Sequence, residues 1–94
     1  MSEKKAVNPN AVYLGRAITC TRLERGLKRK ELAVAAGISY PFLAEIENGK
    51  KWPSFPTLDA IAAALRSTNV VLLARAAQIG NDFPVLQNAT EVPS

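Results

Sequence analysis

The sequence predicts an all-α fold, a compact bundle of five short helices with a helix-turn-helix at its centre. Two observations support this class. Apolar residues recur at helical spacing along several segments, and residues that start or end helices stand between those segments. The chain also lacks an internal repeat or a strand pattern of convincing length, although residues 83–86 could pair as a short edge.

The central segment, residues 29–47, predicts the helix-turn-helix itself. Gly37 separates two short helices, because glycine readily adopts the positive φ that ends a helix. Ala33 is small where the two helix backbones approach each other. The inward positions are Leu32, Ala33 and Ala36 on the first helix and Ile38, Leu43 and Ile46 beyond the turn. In such a unit the second helix can enter the DNA major groove.

Capping residues predict the other helices. Asn8 caps and Pro9 opens a first helix that extends to Arg25 and is ended by Gly26. Its inner side carries Val12, Leu14, Ile18 and either Thr21 or Leu23. The second helix runs from Lys28 or Arg29 to Ala36, and the third from Tyr40 to Glu47, ended by Asn48 and Gly49.

Two further helices complete the bundle. Ser54 caps the fourth, with Pro56 in its first turn and an apolar stripe of Phe55, Leu58, Ile61, Ala62 and Leu65. Residues 67–69 interrupt the helical pattern after the fourth helix and cap the start of the fifth. The fifth helix spans about Val70 to Ile79 and is closed by Gly80. We therefore expect a disordered arm at 1–8, a DNA-binding domain at 9–80 and a tail at 81–94.

Composition argues against an enzyme. The 94 residues contain no histidine, and no phosphate-binding glycine loop or paired carboxylate signature is present. We expect no cofactor, no metal and no separate ligand-sensing domain. No apolar run reaches the length of a membrane span and no secretion signal is visible, which predicts a cytoplasmic, nucleoid-associated protein. Cys20, the one cysteine, is expected to be a buried or half-buried apolar residue; the alternative is a reactive thiol.

The positive charge is concentrated in the same region as the predicted helix-turn-helix. Between Leu14 and Lys51 lie eight basic and four acidic residues, and this difference of +4 equals the net charge of the whole chain. Cations placed there favour DNA binding through release of counterions. The alternative is a solvated basic face that maintains solubility.

A family resemblance covers Leu14 to Leu65. It is carried by Leu14-Gly15, Ile18, Arg22, Gly26-Leu27, Glu31-Leu32-Ala33, Gly37-Ile38-Ser39, Leu43, Ile46-Glu47-Asn48-Gly49-Lys50, Pro53-Ser54, Leu58, Ile61-Ala62 and Leu65. This segment resembles the lambda-repressor-like, Cro/C1-type (XRE) helix-turn-helix family. The resemblance implies a bundle of four or five helices that binds double-stranded DNA, usually as a two-fold dimer.

The resemblance also implies roles for polar residues. Arg22 and Glu47 match an internal ion pair that joins the first helix to the end of the third; the alternative is that Arg22 contacts a phosphate. Arg29 matches a position that usually carries Gln and contacts the DNA backbone. The residues expected to contact phosphate are Lys28, Arg29, Lys30, Ser39, Lys50 and Lys51.

Two details follow from chemistry at these positions. Three consecutive cations, residues 28–30, oppose the dipole at a helix N-terminus, and a bound phosphate would offset that cost. Trp52 lies either against the sugar–phosphate edge or, as we prefer, on the fourth helix.

Base contacts are expected from the exposed front of the third helix, at Tyr40, Pro41, Ala44 and Glu45. Matching family positions often carry Gln or Arg, so this set is poor in hydrogen-bonding groups. Sequence preference then rests partly on apolar contacts and DNA shape, or the protein is weakly specific. Pro41 disfavours a helical conformation at the residue before it, so the helix could start one residue late, with Tyr40 as its cap. Alternatively, Tyr40 and Pro41 only rigidify the turn and Glu45 is solvated.

The fifth helix predicts a homodimer, since it is apolar on more than one face. The bundle takes Leu72, Leu73 and Ala76. The partner takes a face that consists of Val70, Val71, Leu73, Ala77 and Ile79. Two recognition helices would then lie roughly 34 Å apart on a palindromic site. Alternatively, the tail covers this face and the protein is a monomer.

The leading functional prediction is a sequence-specific, double-stranded DNA-binding transcriptional regulator. We expect a repressor that occupies an operator as a homodimer. An alternative is an antitoxin-like regulator whose C-terminal segment binds a protein partner, because Phe83, Val85 and Leu86 could order on such a partner. A third option is an architectural DNA binder with little sequence preference.

Overall fold

The computed structural model describes residues 8–82 and consists over this range of five helices without a strand. They are α1 (Pro9–Glu24), α2 (Arg29–Ala36), α3 (Tyr40–Glu47), α4 (Phe55–Ala64) and α5 (Asn69–Asp82). The predicted all-α bundle is confirmed. The predictions of a disordered arm, of a tail and of a short edge at 83–86 concern residues that lie wholly or mainly outside the described range.

Helix starts follow from local capping chemistry. The side-chain oxygens of Asn8, Ser39 and Ser54 accept hydrogen bonds from backbone N–H groups two or three residues further on, at 2.9, 3.2 and 3.3 Å. The prediction that α3 starts late, with Tyr40 as its cap, is wrong. Ser39 is the extended cap residue, and Pro41 lies in the first turn of α3, where a helix leaves N–H groups unpaired anyway.

The turn between α2 and α3 has the geometry that a glycine permits. Gly37 has a φ of 74°, and its N–H bonds the carbonyl of Val34 at 3.1 Å. The N–H of Ile38 bonds the carbonyl of Ala33 at 3.0 Å. These two bonds form a Schellman motif, which ends α2 and turns the chain directly into α3.

All five helices contribute to one hydrophobic core. α1 packs against α3 and α5, while α2 packs against α3 and α4. The largest side chains that are fully buried are Leu14, Ile18, Leu32, Leu43, Ile46, Leu58, Ile61, Leu65 and Leu72. All six inward positions predicted for the helix-turn-helix are buried or packed against this core, including Ala33, Ala36 and Ile38.

The structure decides between the two residues predicted for the last inner position of α1, and it exposes one residue of the stripe predicted for α4. Of the pair Thr21 and Leu23, Thr21 is buried and Leu23 is 62% exposed. Two residues correspond to roughly 200° around a helix, so these side chains cannot share a face. Phe55 is 63% exposed because it is the first residue of α4, and the core begins one turn later at Leu58.

Cys20 was predicted to be buried or half-buried, and this is wrong, since its side chain is exposed. It is also roughly 200° from Ile18 around α1. The thiol borders an open groove that Arg16 and Thr19 also line.

The fifth helix was predicted to be closed by Gly80, but it continues to Asp82. Gly80 is small because α5 closely approaches α1: a Cβ at this position would lie 2.8 Å from Cδ2 of Tyr13. Val70, Val71 and Ala77 are exposed, whereas Leu73 and Ile79 are half-buried against the chain's own core. The apolar face that α5 exposes to solvent therefore contains only three of the five residues predicted for it.

A charged contact that the sequence pattern did not predict joins α5 to α1. Nη1 and Nη2 of Arg75 donate to the two carboxylate oxygens of Glu24 at 2.8 and 2.6 Å. The same Nη1 donates to the Thr21 hydroxyl at 3.1 Å. The bond from Arg75 and its positive charge hold the pKa of Glu24 below its usual value, despite the opposing effect of desolvation. No single helix among the described residues is both long and apolar enough to span a membrane.

Gly15 allows α1 to lie directly on the end of α3. A Cβ at this position would stand 2.5 Å from the backbone carbonyl oxygens of both Ile46 and Glu47. Such a distance is far inside van der Waals contact, and backbone atoms cannot rotate away. The glycine thus sets the spacing between α1 and α3.

Replacing Gly15 by Ala is expected to destabilise the protein by about 1–3 kcal/mol, because α1 and α3 must move apart. Urea unfolding followed by circular dichroism measures this change. Cys20→Ala is a matched control at an exposed position of the same helix and is expected to change stability by less than about 0.5 kcal/mol. Equal unfolding midpoints for the two variants would contradict the close approach.

Candidate nucleic-acid interface

The carboxylate of Glu47, at the end of α3, joins three helices. Nε and Nη2 of Arg22, on α1, donate to Oε2 and Oε1 at 2.9 and 3.1 Å. Nε of Arg29, on α2, donates to Oε1 at 3.0 Å. The Thr19 hydroxyl lies 3.1 Å from Oε1 and 2.9 Å from the Gly15 carbonyl oxygen, between which it shares one proton. The Glu47 side chain is completely buried, so these bonds replace its hydration.

Arg22 uses its guanidinium N–H groups within this buried cluster and the adjoining loop. Its side chain is only 10% exposed, and besides its two bonds to Glu47 it donates through Nη1 to the carbonyl of Leu27 at 2.9 Å. Those bonds join α1 to the loop before α2 as well as to α3. This geometry favours the scaffold role over the alternative in which Arg22 contacts a phosphate.

Arg29 occupies an intermediate position between the buried cluster and the surface. Its side chain is 27% exposed, and the central carbon of its guanidinium lies 6.0 Å from the centre of the Tyr40 ring. Partial burial acts to lower the pKa of Arg29, but the bond and charge of Glu47 and the contact with Tyr40 outweigh it and raise that pKa. The guanidinium therefore links the Glu47 cluster to the first residue of α3.

The outward surface of α3 is formed by the residues predicted to contact bases. Tyr40 is 49% exposed, Pro41 and Glu45 are exposed, and Ala44 is half-buried. The opposite side of the helix, with Leu43, Ile46 and Glu47, is buried. Within residues 8–82 no other segment covers the outward surface. The helix thus presents three exposed side chains and the half-buried Ala44 on its outward surface.

Cations border this surface near both ends of α3. Lys28 and Lys30 are exposed at the start of α2, and Lys50 and Lys51 follow the end of α3. Lys28, Arg29, Lys30 and Tyr40 line an open groove of about 450 Å³. The N–H of Lys28 is bonded to the Glu31 carboxylate at 2.7 Å, so an acidic residue in the first turn partly offsets the three cations.

The segment after α3 is held in a defined conformation. Gly49 has a φ of 79°, and the N–H of Lys50 bonds the carbonyl of Glu45 at 2.8 Å. A Cβ on Gly49 would lie 2.8 Å from Cα of Val12, so α1 also packs closely here. Trp52 is half-exposed and borders a cavity beside α1 and α5 with Tyr13 and Leu73.

Sequence reasoning did not predict the bond between Arg29 and Glu47. The family resemblance assigned Glu47 to Arg22 alone and Arg29 to a phosphate. The sequence did contain one indication of this bond. Arg29 places a charged guanidinium where the family usually has an uncharged Gln. A longer and charged side chain at that position can reach a second partner.

The geometry is that of a helix-turn-helix, and comparison with known proteins identifies the family. A helix-turn-helix family model matches residues 21–77, more than half of the chain. The chain therefore belongs to the Cro/C1-type helix-turn-helix family, whose members are DNA-binding transcriptional regulators rather than enzymes.

Two relatives and one solved structure illustrate the similarity. The HTH-type transcriptional regulator DdrOP3 of Deinococcus deserti is 48% identical over 42 residues, which are 45% of this chain and 33% of that protein. The immunity repressor protein of Bacillus phage phi105 is 42% identical over 52 residues, 55% and 36% of the two chains. This chain thus spans about a third of the length of the two regulators.

The structural comparison extends the match over most of the described residues. The crystal structure of the clp gene regulator ClgR from C. glutamicum is 31% identical, with a TM-score of 0.73. The alignment covers 80% of this chain and 96% of that one. Similarity therefore includes the whole helical bundle and not only the two central helices.

Replacing Glu47 by Gln is expected to destabilise the fold by roughly 3–5 kcal/mol, because two arginines then lose their buried counter-charge. The free energy of unfolding in urea measures this loss. Glu45→Gln is the matched control, two residues earlier on the exposed side of the same helix, and is expected to change stability by less than about 0.5 kcal/mol. An unchanged unfolding midpoint for Glu47→Gln would mean that the cluster contributes nothing to stability.

Proposed function

We propose that this chain is a sequence-selective regulator that binds double-stranded DNA through α3 and represses transcription by occupying an operator as a homodimer at the bacterial or phage chromosome. The observation that carries the proposal is the exposed front of α3, bordered by cations near both of its ends. The helix-turn-helix family supports DNA binding, while the operator, the dimer and repression belong to the proposal.

Phosphate binding explains the placement of charge. Lys28, Lys30, Lys50 and Lys51 are exposed beside α3, and the net excess of +4 lies between residues 14 and 51. A duplex in contact with α3 places phosphates on both sides of the groove that it enters, next to these cations. The Ser39 hydroxyl, which caps α3 through its lone pair, retains its proton for a phosphate oxygen.

Base recognition rests on a small set of groups. The Tyr40 hydroxyl donates or accepts a hydrogen bond, the methyl of Ala44 fits against a thymine methyl, and Glu45 accepts from cytosine N4. Pro41 adds an apolar surface. None of the four offers a bidentate amide or guanidinium contact, so DNA shape is expected to contribute to selectivity.

The homodimer rests on α5. Val70 is 68% exposed, Val71 is 55% exposed, and Ala77 is also exposed, so these residues form an unpartnered apolar face within the described chain. A two-fold axis beside this face would pair it with itself and place two recognition helices on one side of the DNA. The antitoxin-like alternative rests on residues 80–94, most of which lie outside the described range.

A salt series tests the DNA interface. The chain is expected to select a subset of genomic fragments, with affinity that falls linearly in log–log plots against salt. Lys50→Gln is expected to lower the affinity for all fragments by a similar factor. It is also expected to reduce the magnitude of the slope of log affinity against log salt concentration by about 1. Glu45→Gln is expected to change which fragments are preferred. Binding unaffected by both changes would place the interface elsewhere.

Sedimentation equilibrium tests the dimer. The wild-type chain is expected to be a dimer, and Val70→Asp to be a monomer, since a carboxylate would be buried in the interface without a partner. Val34→Asp is a matched control, because Val34 is 77% exposed but lies on α2. A monomeric wild type, or dissociation of the control to the same extent, would contradict the role of α5.

A further inference from the structure

A small cavity lies between α1, α5 and the segment that follows α3. Its volume is about 130 Å³. Two aromatic, three aliphatic and one amide side chain line it, namely Tyr13, Trp52, Leu73, Ala76, Ala77 and Asn10. None of these residues belongs to the outward surface of α3 or to the four exposed lysines beside it. The proposed DNA interface therefore does not account for the cavity.

The Tyr13 side chain, which lines the cavity, carries an unsatisfied hydroxyl. The residue is only 5% exposed, and its hydroxyl oxygen is buried without a hydrogen-bond partner among the described residues. A buried hydroxyl without a partner destabilises a protein, because it has lost its bonds to water. A phenylalanine would fill the same space without that cost, so the hydroxyl itself requires an explanation.

The size and chemistry of the cavity favour an occupant with one aromatic ring. An apolar cavity of about 150 Å³ holds one benzene molecule, and the volume found here is similar. The rings of Tyr13 and Trp52 can pack against an aromatic ligand. The tyrosine hydroxyl can donate a hydrogen bond to one polar group on that ligand or accept one from it. A mostly apolar wall with a single polar group is typical of small-molecule sites.

Trp52 connects the cavity to the proposed DNA interface. It directly follows Lys50 and Lys51 and is 50% exposed. The short segment that these three residues form is fixed at both ends, since Gly49 packs closely on α1 and Pro53 is fully buried. A movement of the Trp52 side chain is therefore transmitted to the backbone beside Lys51.

We propose that this cavity is an effector site, which binds a small aromatic molecule with one hydrogen-bonding group, such as a phenol, and thereby lowers the affinity for DNA. The effect on DNA rests on the proposed function, whereas binding of the ligand does not. Because the Tyr13 hydroxyl is buried, the ligand reaches it by moving the half-exposed Trp52 side chain. That movement displaces Lys51 from the position in which it binds a phosphate.

Nuclear magnetic resonance on the full chain tests ligand binding. Phenol is the probe, and toluene, with a methyl group in place of the hydroxyl, is its matched analogue. Trp52 is the only tryptophan in the sequence, so its single indole N–H signal reports on the cavity. Both ligands are expected to shift this signal. Nuclear Overhauser effects are expected between phenol and the rings of Tyr13 and Trp52.

Replacing Tyr13 by Phe tests the hydrogen bond. The ratio of the toluene Kd to the phenol Kd is expected to fall about fivefold in this variant, since the lost bond affects phenol alone. Tyr40→Phe, at the other tyrosine of the chain, is the matched control and is expected to leave the ratio unchanged. Without ligand, Tyr13→Phe is expected to unfold in urea at the same concentration as the wild type or a higher one, because it removes an unpaired hydroxyl.

DNA affinity is measured with and without saturating phenol at one salt concentration. The affinity of the wild type for its preferred duplex is expected to fall about fivefold or more. At the same phenol concentration, the affinity of Tyr13→Phe is expected to fall less. The variant thus separates an effect of the cavity from a general effect of phenol on the protein or the duplex.

Four results would overturn the inference while the proposed function stands. They are an indole signal that neither ligand shifts, an equal Kd ratio in Tyr13→Phe and the wild type, DNA affinity that saturating phenol leaves unchanged, and ligand binding only in the monomeric Val70→Asp variant. The last result would mean that a second copy covers the cavity, since Ala77 belongs both to its wall and to the proposed dimer face. A wild-type chain that binds no duplex at low salt would overturn the proposed function and, with it, the effector role.

Discussion

The buried carboxylate of Glu47 is the interaction on which the arrangement of the first three helices depends. A single anion, with no exposed surface, receives N–H groups from Arg22 on α1 and Arg29 on α2. A buried charge is tolerated only when its partners are correctly placed, so the three helices have one relative orientation that satisfies it. Apolar packing alone would permit small shifts between them. Two cations, Arg22 and Arg29, are paired with one anion, Glu47, so the three groups together keep one positive charge. Arg29, which is the more exposed arginine, lies on α2 beside the start of α3.

This arrangement separates the buried side of α3 from its outward side within eight residues. Leu43, Ile46 and Glu47 hold α3 in the fold, while Ser39 and Gly49 define its two ends. The outward positions, 40, 41, 44 and 45, contribute little to the core. Their chemistry can vary without loss of the fold, and this explains how a chain with an unusual set of outward residues on α3 retains the bundle of its family.

The sequence predicted those features that depend on neighbouring residues. Caps at Asn8 and Ser54 and the positive φ of Gly37 are determined within one helical turn, and each was predicted correctly. The fold class followed from the same local signals, combined with helical periodicity.

Features that depend on distant residues were not predictable in this way. Gly80 was taken as a helix end, whereas the glycine serves to accommodate the ring of Tyr13, 67 positions earlier in the chain. The partial burial of Arg29 depends on Glu47, which belongs to a different helix. The narrowed apolar face of α5 likewise reflects half-burial of Leu73 and Ile79 against the core. Helical periodicity shows which residues share a face but not how far the neighbouring helix reaches around it.

The contact between Gly80 and Tyr13 also has a consequence for the proposed dimer. Because the ring touches the helix backbone without an intervening side chain, the angle between α5 and α1 is set by a rigid aromatic group. In a dimer joined through α5, that angle is transmitted to both copies of α3. In that proposed dimer, the contact between Tyr13 and Gly80 would help to set the length of the spacer between the two operator halves.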